Sequence, residues 1–133
     1  MAAVDTNVLL RLLLDDDVGQ ASAARALFRT GAPLYISHVV LAEAAWVLTS
    51  TYGFRREKLA GLIAMLLDAD GFVLEDPPLV QAALAAFRSS KADFSDCLIL
   101  GIAQRAGASP LATFDEKLAK LPSTRRLGAK RRR

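Results

Sequence analysis

The chain has 133 residues, 53% hydrophobic and 23% charged, a balance that excludes a disordered polymer and suits one globular domain burying about two-thirds of its unfolded surface. Its single cysteine, Cys97, excludes a disulfide framework and a cysteine-rich zinc site, suits a reducing compartment and reads as a small buried hydrophobe. The formal charge of +3 is uneven, because Arg125, Arg126, Lys130, Arg131, Arg132 and Arg133 crowd the end and leave the rest net negative.

No apolar run reaches the roughly 20 residues of a spanning helix, and the start lacks a basic leader, so we expect a soluble, untargeted, cytoplasmic protein. The basic end has two readings, a sequence-independent attraction for phosphates and a solubilising disordered tail.

In chain order, Met1 to Val4 forms a short strand that leads into Asp5. Leu9, Leu10, Leu13 and Leu14 fit a first helix, broken at Asp15-Asp16-Asp17-Val18-Gly19, which we read as a solvated, capping link. A second helix covers Ala21 to Thr30, Gly31-Ala32-Pro33 ends it, and Leu34-Tyr35-Ile36 is the second strand. Ser37 caps a third helix from about Val39 to Thr51, which stops near Gly53. Leu59, Leu62, Ile63, Leu66 and Leu67 stripe a fourth helix, and Gly71 to Leu74 is the third strand. Pro77 and Pro78 suit the first turn of a fifth helix with Leu79, Val80, Ala83, Leu84 and Phe87 on one face. Asp93 opens a sixth, apolar nearly all round over Phe94 to Ala106 and therefore expected to be deeply packed. Pro110 to Thr113 is a fourth strand, Asp115 to Leu121 a last helix, and Thr124 to Leu127 an edge strand. Helices alternating with short strands argue for a parallel α/β sheet.

Four carboxylates stand out against this pattern. Asp5 closes the apolar opening, Glu43 interrupts the run from Val39 to Leu48, Asp96 precedes Cys97-Leu98-Ile99-Leu100, and Asp115 follows the fourth strand. A bare carboxylate in apolar surroundings is costly, and clustered acids raise at least one pKa, so bound divalent cations give them a purpose. Ligands of parallel α/β sheets gather beyond the carboxyl ends of the strands, where Asp5 and Asp115 map, with Glu43 and Asp96 early in helices. Mg²⁺ or Mn²⁺ suits such oxygen donors, and the reaction class that follows is metal-dependent phosphodiester hydrolysis.

Local readings compete with that one. Asp93 can be a helix N-cap with Asp96 as its partner three residues on, and Thr113-Phe114-Asp115-Glu116 fits a capping box. There is no glycine-rich phosphate loop and no Gly-x-Ser-x-Gly elbow, and the lone histidine, His38, reads as structural.

Val4-Asp5-Thr6-Asn7-Val8-Leu9-Leu10-Arg11, Ser37-His38-Val39-Val40-Leu41-Ala42-Glu43, Ala92-Asp93-Phe94-Ser95-Asp96-Cys97-Leu98-Ile99 and Ala112-Thr113-Phe114-Asp115, in this order, resemble the PIN-domain ribonucleases, and among them the VapC-type toxins of toxin–antitoxin pairs. The resemblance covers nearly the whole chain. It implies a three-layer α/β/α sandwich with a central, mostly parallel sheet of four to five strands over residues 1–127, followed by a basic tail at 128–133. It also implies an acidic Mg²⁺ or Mn²⁺ site, catalytic and metal-binding, of Asp5, Glu43, Asp96 and Asp115, with Asp93 as an additional acid and Thr6, Asn7, Ser37 and Thr113 as supporting polar residues. Cys97 departs mildly from the small residue, commonly alanine, expected there. The implied function is an endoribonuclease acting on structured RNA, a transfer RNA or a ribosomal RNA loop. It implies two partners as well, a second copy in a homodimer and an antitoxin lying across the acidic groove.

Two alternatives remain at this point. One is a PIN-like module without catalysis that binds RNA or dimerises. The other is an aspartyl-phosphate phosphatase, disfavoured because Asn7 occupies the position where such enzymes place a second acid.

Overall fold

The computed structural model describes residues 1–14 and 18–128; the three adjacent aspartates at 15–17 and the end of the chain at 129–133, with Lys130, Arg131, Arg132 and Arg133, lie outside the described residues. The elements are β1 (Ala2–Ala3), α1 (Thr6–Leu13), α2 (Val18–Phe28), β2 (Leu34–Ile36), α3 (His38–Ser50), α4 (Arg56–Asp68), β3 (Phe72–Leu74), α5 (Pro77–Arg88), α6 (Phe94–Arg105), β4 (Leu111–Thr113) and β5 (Thr124–Arg126). This is the expected α/β class, with parallel strands joined through helices. The chain forms two compact units, Met1 to Pro77 and Pro78 onward.

In the first unit the strand order is β1-β2-β3, every pair parallel. Ala2 pairs with Leu34, and Ile36 with Leu74. Parallel neighbours need a crossover, which α1 with α2 and α3 with α4 provide. Helices α1, α3 and α4 turn branched apolar residues inward, so Leu9, Leu41, Leu48, Ile63 and Leu66 are buried together with Leu34 and Ile36 of the central strand, while α2 packs through Ala21 and Ala24. Gly71 has a packing reason, because a Cβ there would lie 2.6 Å from Cε1 of Phe28, whose ring packs on Phe72 at 5.3 Å.

Helix α3 closes where the chain turns through Gly53, at φ +67°. The next residue's N–H, on Phe54, donates back to the Leu48 carbonyl at 2.9 Å. A side chain is disfavoured in that left-handed conformation, so Gly53→Ala is expected to cost about 1 kcal/mol in urea unfolding. An unchanged urea midpoint would show that the turn tolerates a side chain.

In the second unit α5 buries Leu79, Val80, Ala83, Leu84 and Phe87, and α6 buries Phe94, Cys97, Leu98 and Leu100. Phe87 and Phe94 meet edge to face at 5.8 Å. Strands β4 and β5 pair in parallel, Leu111 with Thr124 and Thr113 with Arg126. The strands expected in one sheet of four to five are thus found as a parallel set of three and a parallel set of two, each in its own unit.

Two expectations are corrected here. Helix α6 is not deeply packed all round, since Ile99 and Ile102 are 49% and 41% exposed. Apolar composition marked the residues without fixing the face. The last helix expected from Asp115 to Leu121 is only a 3-10 turn at Leu118–Lys120, because the chain must extend again for Pro122 and β5. No described helix is long and apolar enough to cross a membrane.

Candidate functional site

Asp5 lies one residue beyond Val4 at the carboxyl end of β1 and is the N-cap of α1, its Oδ1 accepting from the Val8 N–H at 2.9 Å. Helix α1 therefore starts at Thr6, ahead of the leucine stripe that announced it. Ser37 caps α3 in the same way at the end of β2, accepting from Val40 N–H at 3.2 Å. Glu75, at the end of β3, accepts from the His38 N–H at 2.9 Å. All three parallel strands of this unit thus end on a polar side chain, and two of these are carboxylates. One and a half turns into α3, Glu43 accepts the Thr6 hydroxyl on Oε1 at 2.7 Å, which ties α3 to the first residue of α1.

In the second unit Asp115 follows β4. Its N–H donates to Thr113 Oγ1 at 3.0 Å, and its Oδ1 accepts from Leu118 N–H at 2.8 Å. The anticipated capping box with Glu116 does not form: Thr113 Oγ1 takes the Asp115 N–H, and the Glu116 side chain pairs with Arg126 at 3.2 Å. Asp93 occupies the N-cap position of α6, yet its carboxylate makes no capping hydrogen bond. Three residues on, Asp96 is part-buried. Burial raises its pKa from the ordinary aspartate value, and the neighbouring charges of Asp93 and Asp115 push it further the same way.

The premise that these acids sit in apolar interiors is corrected. Asp5, Glu43, Asp93 and Asp115 are exposed, and no charged residue is buried among the described residues. Glu43 misled because α3 turns apolar residues outward too, Val39 at 68% and Trp46 at 61% exposure. The energetic cost we assigned to all four belongs to Asp96, where like charge adds to burial.

What the hydrogen bonds share is one fixed oxygen per acid. Asp5, Glu43 and Asp115 each have one carboxylate oxygen held by a protein donor and the other without a hydrogen bond among the described residues. Oriented, exposed carboxylate oxygens are the donor chemistry of a hard divalent cation. Among the described residues no group of three or more His, Cys, Asp or Glu is assembled to hold a metal ion.

Of the supporting residues, Thr6 meets Glu43, Thr113 meets the Asp115 backbone, Ser37 caps α3, and Asn7 lines a cleft beside Asp5. Sequence reasoning passed over Glu75, although an acid directly after a strand was the signal used for Asp5. It also passed over Arg11 and Gln20, which line that cleft from α1 and α2. Cys97 is buried, as expected.

Comparison with known proteins places these observations in a family. The profile described as PIN domain matches residues 2–123. A protein named VapC ribonuclease from Aquifex aeolicus (strain VF5) is 24% identical over 124 residues, which cover 91% of this chain and 92% of that one. No solved structure matches the chain.

Proposed function

The chain belongs to the PIN domain family, and from that premise we propose that it is a divalent-metal-dependent endoribonuclease of the VapC type. The observation that carries the reading is the common state of its acids, fixed through one oxygen and open through the other at Asp5, Glu43 and Asp115. Support also comes from Asp96, whose charge is disfavoured by burial and by Asp93 and Asp115. A cation relieves that repulsion.

In this mechanism Asp5, Glu43, Asp93, Asp96 and Asp115 are the residues that would hold Mg²⁺ or Mn²⁺. Such a cation, when bound, would supply Lewis-acid charge at the scissile phosphate and acidify water. The protein does the positioning. The Val8 N–H and the Thr6 hydroxyl set the carboxylate planes of Asp5 and Glu43, and the Leu118 N–H sets that of Asp115. Uncompensated, these acids would repel the RNA backbone, so binding and hydrolysis both require the cation. Residues 1–127 form the nuclease and 128–133 a basic tail. The substrate is a structured transfer or ribosomal RNA, and the enzyme works in the cytoplasm as a homodimer restrained by a cognate antitoxin.

Purified protein is expected to cut RNA with Mg²⁺ or Mn²⁺, stop on chelation and recover on readdition. Cleavage undiminished by chelation would overturn the mechanism. A silent RNA-binding module is favoured by one observation, the absence of a preassembled metal-ligand group among the described residues. Calorimetric titration with Mn²⁺ separates the two, since the silent module gives no binding heat.

A further inference from the structure

Between α1 and α2 the first unit has a cleft of about 300 Å³ of which the mechanism above uses only Asp5. Its walls are apolar, from Val8, Ala24 and Leu27, and three hydrogen-bonding side chains, Asn7, Arg11 and Gln20, converge on it. Asp5 stands at its edge. One opening therefore combines an aliphatic lining, two amides that donate and accept, a guanidinium that only donates, and a border with Asp5, one of the acids assigned to the cation.

That combination describes an unstacked nucleobase. Bases taken out of the stack are held by proteins between aromatic or apolar side chains and hydrogen-bonded along their edges, and the cleft offers aliphatic walls together with polar groups, without an aromatic ring among its lining residues. A purely apolar peptide side chain would offer nothing to the Asn7 amide, and a bare phosphate would gain nothing from Val8, Ala24 and Leu27. The volume lies at the lower end of the range for small-molecule sites, enough for a single base and ribose. Arg11, which lines the cleft from α1, also donates from Nη2 to the Tyr52 hydroxyl at 3.4 Å.

We infer that the α1–α2 cleft binds one unpaired nucleobase of the RNA, next to the scissile phosphate, and sets the base preference of cleavage. The inference rests on the nuclease reading for its biological role, while base binding in the cleft can be measured without catalysis.

Two variants test it. Ala23 lines the cleft from an exposed position on α2, so Ala23→Trp fills the space without entering the core. Gln20→Ala removes one edge contact from an exposed position. The four ribonucleoside 5′-monophosphates, which offer no bond to cleave, are titrated into the protein in the presence of Mg²⁺ and followed by amide NMR shifts. The expected result is saturable shifts at Val8, Ala24 and Leu27 with at least one nucleotide, lost in Ala23→Trp. Shifts absent from α1 and α2 with all four nucleotides, or unchanged in Ala23→Trp, overturn the inference.

Cleavage of a randomised oligonucleotide pool gives the second arm. Both variants are expected to lose the preference at one position beside the cut and about tenfold in kcat/KM on the preferred sequence, with Mn²⁺ affinity unchanged. A preference profile identical to that of the unsubstituted enzyme overturns the assignment. If the unsubstituted protein cuts no RNA with either cation, the nuclease reading fails, and saturable nucleotide shifts would still support the cleft as a base site.

Discussion

Replacing Asp96 by asparagine is expected to lower RNA cleavage by on the order of 10²–10³-fold while making the cation-free protein more resistant to heat. The two effects share one cause. Asp96 carries a raised pKa because burial, then Asp93, then Asp115 disfavour its charge. A carboxyl whose folded pKa exceeds its unfolded value makes the native state bind more protons than the unfolded chain. Stability therefore falls as pH rises from the ordinary carboxylate value through the raised one, and the cost is fully present at neutral pH. The asparagine amide is neutral and nearly the same shape, so in Asp96→Asn the melting temperature should rise by roughly a few degrees and its slope across that pH window should flatten. Unaltered cleavage would remove Asp96 from the reaction. A lower melting temperature at neutral pH would mean that its charge has a stabilising partner.

The largest loss of stability is expected at Phe94. This side chain is 2% exposed and meets the Phe87 ring at 5.8 Å and 87°. Truncation to alanine removes the transfer energy of a buried ring and leaves a cavity, about 3–5 kcal/mol. Against the 5–15 kcal/mol or so typical of a domain, that approaches unfolding at 37 °C. Phe94→Leu should retain most of the stability, because it fills much of the same volume. The comparison is read from guanidinium midpoints, and a loss below about 1 kcal/mol for Phe94→Ala would mean that the site collapses around the gap. Phe94 is also the first residue of α6, flanked by Asp93 and Ser95, so a surviving fraction of the alanine variant should cleave poorly for want of a fixed helix start.

The core was legible where the apolar stripes were regular. Leu59, Ile63 and Leu66 of α4 and Leu79, Val80, Ala83, Leu84 and Phe87 of α5 could be read as faces, because three- and four-residue spacing is a property of the sequence itself. Faces could not be assigned in α3 and α6, where apolar residues surround the helix and burial depends on neighbours distant in sequence. Asp5 and Ser37 were legible as strand-end residues because each sits at a change from strand to helix. What the sequence did not disclose is which polar partner each residue takes. Thr113 holds the Asp115 backbone instead of joining a capping box, Asp93 caps nothing, and Glu43 meets Thr6 across 37 positions. Those choices follow from tertiary geometry, which short-range patterns do not encode.

The exposed outer face of α3 gives the molecule a built-in optical reporter. Trp46 is the chain's sole tryptophan, lies largely in solvent and sits three residues after Glu43, within one helical turn of it. Indole emission from this protein therefore comes from one place, red-shifted and open to aqueous quenchers while the face is bare. Charge neutralisation at Glu43, or an occupant settling over the face, would alter that emission directly, so events at this acid can be timed in a stopped-flow instrument without attaching a dye.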